Sequence, residues 1–177
     1  MKAPQFSRQV LTGDVPAEGR RYRVEADAQE RRLLAEGLGI PEVQALTAEL
    51  EVRPVGGGSF SVRGRFSAAV VQTDVVTLDP VAQDVAEEID VTFMPAEGAA
   101  PRSRQREILV DAAEADAPDV YRNGRIDLGV VVAEHLALGL DPYPRAPGVD
   151  FPGHVEDDPA KDPSPFAVLA KLQDRDR

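Results

Sequence analysis

The feature that most constrains this chain is a long run of period-two alternation. Leu46, Leu50 and Val52 alternate with Thr47, Glu49, Glu51 and Arg53, so one face of the segment is apolar and the other is wet. Phe60, Val62, Phe66, Ala68 and Val70 do the same against Ser61, Arg63, Arg65 and Ser67. After the turn at Asp79-Pro80, Val85, Ile89, Val91 and Phe93 restore the period, and Pro95 ends it. Between the first two runs, Pro54-Val55-Gly56-Gly57-Gly58-Ser59 reads as a hairpin connection. The pattern predicts a meander of at least three antiparallel strands over 44–55, 59–73 and 83–94. The alternation breaks at Val71-Gln72-Thr73-Asp74, which predicts a bulge or strand end there.

The flanks read differently. Asp27 with Glu30 three residues later has the form of a capping box. Leu33, Leu34 and Leu38 follow at helical spacing before Gly37, Gly39 and Pro41 stop the element, predicting a helix over 28–38. Asp127 has the chemistry of a helix N-cap, and Leu128, Val131, Val132, His135 and Leu136 fit a second helix over 128–139. Phe6 to Val15 reads as an initial strand and Arg21-Tyr22-Arg23-Val24 as another. Met94 to Asp119 reads as irregular apart from Ile108-Leu109-Val110. The fold class is therefore α+β: an antiparallel β-meander packed by two or three short helices, with a flexible Pro/Gly/Asp-rich C-terminal segment. Residues 1–140 read as one domain and 141–177 as a loose tail, mobile over 145–163, whose apolar patch at 166–172 docks back.

Composition narrows the function classes. The chain of 177 residues has no cysteine, which excludes disulfides, thiolate nucleophiles and cysteine zinc sites together. Aromatic residues make up 5% with no Trp, leaving few rings for base stacking. The net charge of −11 argues against coating nucleic acid by bulk charge. Its distribution is uneven: residues 1–66 balance to +1 and residues 67–177 to −12. An RNA-facing patch is thus expected in the first part, while the acidic remainder suits water or a basic protein. No apolar run approaches membrane-spanning length and the start lacks a signal-peptide pattern, so the expectation is a cytoplasmic protein without membrane contact.

Catalytic chemistry is sparse. Glu134-His135 is not part of a zinc-binding H-E-x-x-H motif, and His135 falls beside apolar helix positions, which reads as structural. His154 lies among Pro and Gly and reads as exposed. Adjacent carboxylates such as Glu87-Glu88 and Asp157-Asp158 are expected by chance at this acidity. The triple glycine lacks the Lys-Ser/Thr of a phosphate-binding loop. No cofactor, metal site or small-molecule substrate is indicated, and the chain reads as a non-enzyme. Arg63 and Arg65 are more informative, because they project from one face of one strand about 7 Å apart, a spacing that matches successive phosphates. The plain alternative is a solvated face pairing with Glu49 or Glu51 across the hairpin. Arg102, Arg104 and Arg106 repeat the spacing and are nucleic-acid candidates on the same ground.

Gln72-Thr73-Asp74-Val75-Val76-Thr77-Leu78-Asp79-Pro80-Val81 resembles the central signature of the YceD family, a Gln-x-Cys stretch followed by Val-Thr-Leu-Glu-Pro-Val. Gly64-x-Phe66 before it and Phe93-x-Pro95 after it are similar too. Gly124-Arg125-Ile126-Asp127-Leu128 with Pro142-x-Pro144 resembles the second block, and Pro165-Phe166-Ala167-Val168-Leu169 the C-terminal one. The family-motif residues on this reading are Gln72, Thr77, Leu78, Pro80, Asp127 and Phe166. The resemblance implies a non-catalytic factor for accumulation of large-subunit ribosomal RNA, with that RNA or a pre-ribosomal particle as partner. It also implies that the gene neighbours one for a ribosomal protein. Asp74 stands where many relatives carry Cys and Ser164 where many carry Asn, so no zinc role carries over. The rival readings are an acidic module that holds a basic ribosomal protein without touching RNA and, least supported, a carboxylate hydrolase.

Overall fold

The alternating segments form three long strands in the computed structural model, which describes residues 6–96 and 118–148. They are β3 (Glu42–Gly56), β4 (Ser59–Thr73) and β5 (Pro80–Pro95), consecutive and antiparallel. With β2 (Arg20–Glu25) and β6 (Asp119–Tyr121) they make a five-stranded sheet in the order β2-β3-β4-β5-β6. A second, two-stranded sheet pairs β1 (Gln9–Leu11) with β7 (Arg125–Asp127). Helix α1 (Ala28–Leu38) and helix α2 (Leu128–Gly139) complete the α+β architecture. The chain divides into one unit over Met1–Arg145 and another over Ala146–Arg177. All these elements belong to the first, and the expected docking segment 166–172 lies outside the described residues.

Period two explains the layering. Leu46, Ala48, Leu50 and Val52 of β3, Val62, Phe66, Ala68 and Val70 of β4, and Val85, Ile89 and Phe93 of β5 are all buried. Leu34 and Ala35 of α1 and Leu128, Val131, Val132 and Leu136 of α2 join the same core. The core thus lies on one face of the sheet, and the charged positions of the same strands face outward. β4 keeps its alternation past Val70: Gln72 is a buried position and Thr73 an exposed one. The strand ends at Thr73, within the expected break and without a bulge on β4, and the polar Gln72 occupies a core-face site by donating from Nε2 to the Asp141 carbonyl at 2.9 Å. The register shifts lie on β3 instead, at Val43/Ala45 and Pro54/Gly56.

Gly64 occupies the core-face position where the alternation lacks a side chain. It is opposite Leu50 and Ile89, and a Cβ there would meet the Glu49 carbonyl oxygen at 2.0 Å. Only glycine allows the neighbouring backbone to approach so closely.

The helix ends follow their side chains. Asp27 accepts from the backbone N–H groups of Gln29 and Glu30, while the Glu30 carboxylate accepts from Asp27 N–H, a complete capping box. Asp127 accepts from Gly129 and Val130 N–H at the start of α2. Both helices span the residues their capping and spacing predict. The N-terminal segment ties the two helix starts together. Arg8 donates to both Glu30 oxygens at 2.6 and 2.8 Å, and its backbone N–H donates to Asp127 Oδ1 at 2.8 Å. The Arg8–Glu30 pair holds the Glu30 carboxyl below its ordinary range, with the guanidinium hydrogen bond as the leading cause.

The initial strand is shorter than expected. Phe6–Val15 yields β1 over three residues, followed by a 3-10 turn, Thr12–Asp14. Thr12 N–H turns to the Gly124 carbonyl at 2.9 Å, which ends the pairing with β7. Two short elements were not foreseen: β7, and β6, which pairs with β5 in parallel.

Candidate functional site

The outward face of the large sheet is ruled into columns of alternating charge. Arg21, Glu51, Arg63 and Asp90 lie opposite one another across β2 to β5, and Arg23, Glu49, Arg65 and Glu88 form the parallel row two residues away. Read along the strands, β2 and β4 present arginine pairs and β3 and β5 carboxylate pairs. These eight residues border a shallow depression of about 800 Å³ whose remaining boundary is Tyr22, Leu50, Gly64 and Ile89.

Arg63 donates from Nε to Asp90 at 2.9 Å, so its ion-pair partner is on β5 rather than on β3. Glu51, directly opposite Arg63, sits 3.0 Å from Arg53 and 3.9 Å from Arg21. Arg65 faces Glu49 and Glu88 in register but makes no ion pair among the described residues. Such exposed pairs contribute at most about 1 kcal/mol each and exchange readily with another anion. The face is thus electrically balanced, yet its arginines can be recruited. Arg102, Arg104 and Arg106 lie outside the described residues.

The signature residues gather at one end of the sheet, in the β4–β5 turn. Asp74 has no exposed surface and is the one carboxylate among the buried described residues. Its Oδ1 accepts from Val76 N–H at 2.7 Å and Thr77 N–H at 3.0 Å. Asp74 N–H donates to Asp79 O at 2.8 Å, and Leu78 N–H to Asp74 O at 3.0 Å, closing the turn twice. Thr77 Oγ1 accepts from Asp79 N–H at 3.3 Å, and Pro80 opens β5. Leu78 takes φ 65°, a left-handed conformation that a leucine rarely adopts, and is 75% exposed.

The stretch after α2 leans on this turn. Val75 N–H donates to Pro144 O at 3.0 Å, and Gln72 holds the Asp141 carbonyl. Gln83 donates to Gly139 O and accepts from Asp141 N–H, at 3.5 and 3.4 Å. Gln72 Oε1 is buried with no hydrogen-bond partner among the described residues. Four signature residues thus meet at one end of the sheet, while Asp127 acts elsewhere, capping α2. Phe166 lies outside the described residues.

Among the described residues no group of three or more His, Cys, Asp or Glu side chains is placed to hold a metal ion. His135 Nδ1 is 2.9 Å from the Val131 carbonyl on its own helix, a structural contact. No described helix is long and apolar enough to cross a membrane.

What the fold and its signature turn define is an α+β domain with an open charged sheet face and a turn organised by one buried carboxylate. A family model described as "Large ribosomal RNA subunit accumulation protein YceD" matches residues 62–173, more than half of the chain. The chain belongs to the YceD family. No curated protein and no solved structure matches it. The family's description gives the chain a ribosome-related role.

Proposed function

We propose that this chain is a non-catalytic, cytoplasmic factor that supports processing, stability or accumulation of large-subunit ribosomal RNA. On this reading it contacts that RNA, or an assembling particle, through the open sheet face. The family's description supports the role, and the observation that carries the contact is the arginine column of β4. Arg63 and Arg65 stand on one face two residues apart, and Arg65 keeps a guanidinium without an ion-pair partner among the described residues. A phosphate approaching Arg63 displaces Asp90 at little cost, because the pair is solvated. Contacts of this kind position a backbone and carry no sequence information. Arg102, Arg104 and Arg106 are further candidates on their sequence spacing alone.

Binding of the full chain to large-subunit ribosomal RNA, followed by fluorescence anisotropy across several salt concentrations, tests the contact. Affinity should fall as salt rises, and Arg65→Glu should weaken it and flatten the log–log slope by about one unit. Salt-independent or absent binding would remove direct RNA contact and leave the acidic protein-binding module as the function.

A further inference from the structure

The charge pattern of the open sheet face is its own complement. Across the sheet the columns run positive on β2, negative on β3, positive on β4 and negative on β5. Turned over about the line midway between β3 and β4, the pattern reads with every sign reversed. A second copy rotated by a half-turn about an axis along that line, between the two faces, therefore sets each column on one of opposite charge. The rotation leaves position along the strands unchanged, so each row lies on itself. In the first row Arg21 meets Asp90 of the second copy and Glu51 meets Arg63. In the second, Arg23 meets Glu88 and Glu49 meets Arg65. The other twofold axis in that plane, perpendicular to the strands, would stack arginines on arginines and carboxylates on carboxylates. The charges thus select one arrangement. Sheets stacked face to face keep their strands within about 30° of each other, which an axis running along both sets of strands allows.

The rest of the face permits the approach. Short neutral side chains flank the charged rows, Ser61 and Thr92 at one end and Thr47, Ser67 and Ala86 at the other. The two further charges at those ends fall on neutral positions. Arg53 would lie over Ser61 of the second copy and Glu25 over Ala86, so no like charges meet directly. Three charges of the second row also lack partners within one chain: Arg65, Glu49 and Glu88 form no ion pair among the described residues. The stacked arrangement gives each of them one. The pairs that one chain makes on this face, Arg63–Asp90 at 2.9 Å and Arg21–Glu51 at 3.9 Å, are solvent-accessible and free to exchange.

We propose that this face docks a second copy of the chain about the strand-parallel twofold axis, held by four arginine–carboxylate contacts that each occur twice. Self-association of the pure chain does not depend on the RNA reading. Its regulatory consequence rests on that reading: a copy seated here covers Arg63 and Arg65, so the paired chain is closed to RNA and the two states exclude each other.

The test is sedimentation equilibrium of the full chain, free of RNA, at about 0.15 M salt, where repulsion between two acidic chains is screened beyond about 8 Å. The wild type should dimerise reversibly with a dissociation constant of roughly 10–100 μM, as suits an interface of exposed ion pairs. Arg65→Glu should weaken the dimer at least about tenfold, and Glu49→Arg likewise, since each turns two attractions into repulsions. The chain carrying both changes should recover wild-type affinity to within about threefold, because the exchanged signs again oppose each other across the axis. An equimolar mixture of the two single variants should pair as heterodimers with the same recovery, an arm that does not require the double variant to fold. Dimers unaffected by either single reversal, no recovery in the mixture, or a wild-type chain still monomeric at about 1 mM would each overturn the proposal. None of these results touches salt-dependent binding of RNA by the monomer, so the two readings fail separately.

Discussion

Replacing Asp74 with alanine isolates what its carboxylate does for the turn. The side chain has no exposed surface and accepts two backbone N–H groups, at 2.7 and 3.0 Å. A hydrogen bond contributes roughly 0.5–1.5 kcal/mol net, and a donor left buried and unpaired costs roughly 1–3 kcal/mol. Thr77 is exposed and Val76 half-buried, so water can reach part of what the carboxylate abandons and the lower end of that range applies. The expected loss for Asp74→Ala is about 3 kcal/mol, a large share of the roughly 5–15 kcal/mol that holds a domain together. For a chain of this size the melting temperature should fall by roughly 6–12 °C. Urea denaturation should show an earlier midpoint with an unchanged slope, because the loss is local. Asp74→Cys provides the comparison: a thiol is small but a weak acceptor, so stability should fall to an intermediate value. In a deletion strain, ribosomal-RNA levels should nevertheless match the wild type, since the backbone closures from Asp74 remain available. A melting temperature for Asp74→Ala within about 2 °C of wild type would refute the assignment of Asp74 as the organiser of the turn. Metal binding gained by Asp74→Cys would refute the structural account of the position.

Gly64→Ala should cost about 4 kcal/mol or abolish folding, because its Cβ would press on the β3 backbone at the Glu49 carbonyl; soluble yield and urea midpoint report it. Leu78→Gly should lose no stability, and calorimetry should show a gain of up to about 1 kcal/mol from relief of the left-handed strain. Glu30 is held below its ordinary range by Arg8, so its contribution is present above the unfolded-state value, near pH 4.3, and is lost as pH falls through the lower folded-state value. Glu30→Gln should therefore lower the urea midpoint at neutral pH and narrow its gap to wild type on acidification.

The two helices and three long strands were legible because each is specified locally. Asp27 with Glu30, and Asp127, announce helix starts through hydrogen bonds spanning at most three residues, and period two needs only one strand to be visible. What depends on register across strands was not legible. The partner of Arg63 could be sought on β3, where Glu51 lies opposite, but Asp90 becomes its neighbour only once the β4–β5 turn is fixed. β6 and β7 have three residues each, too short for any period, and are made by partners far away in sequence. Gln72 interrupts the apolar pattern at the end of β4, and its core-face placement was hidden because the carbonyl that its Nε2 meets is 69 residues away. At Leu78 an apolar residue in a signature gives no sign of whether it faces the core or water. That depends on the left-handed backbone of the turn, which ordinarily announces itself by glycine or asparagine.

The open sheet face tolerates the chain's overall acidity through the placement of its own charges. At physiological ionic strength charges farther apart than about 8 Å are largely screened, so a net charge of −11 does not by itself keep RNA away. The nearest columns decide. On the sheet face these alternate, and the arginine columns belong to β2, at the sheet's edge, and to β4. A polyanion laid on this face gains most on the β2 side, where Arg21 and Arg23 are both exposed, and loses most over Glu88 and Asp90 of β5.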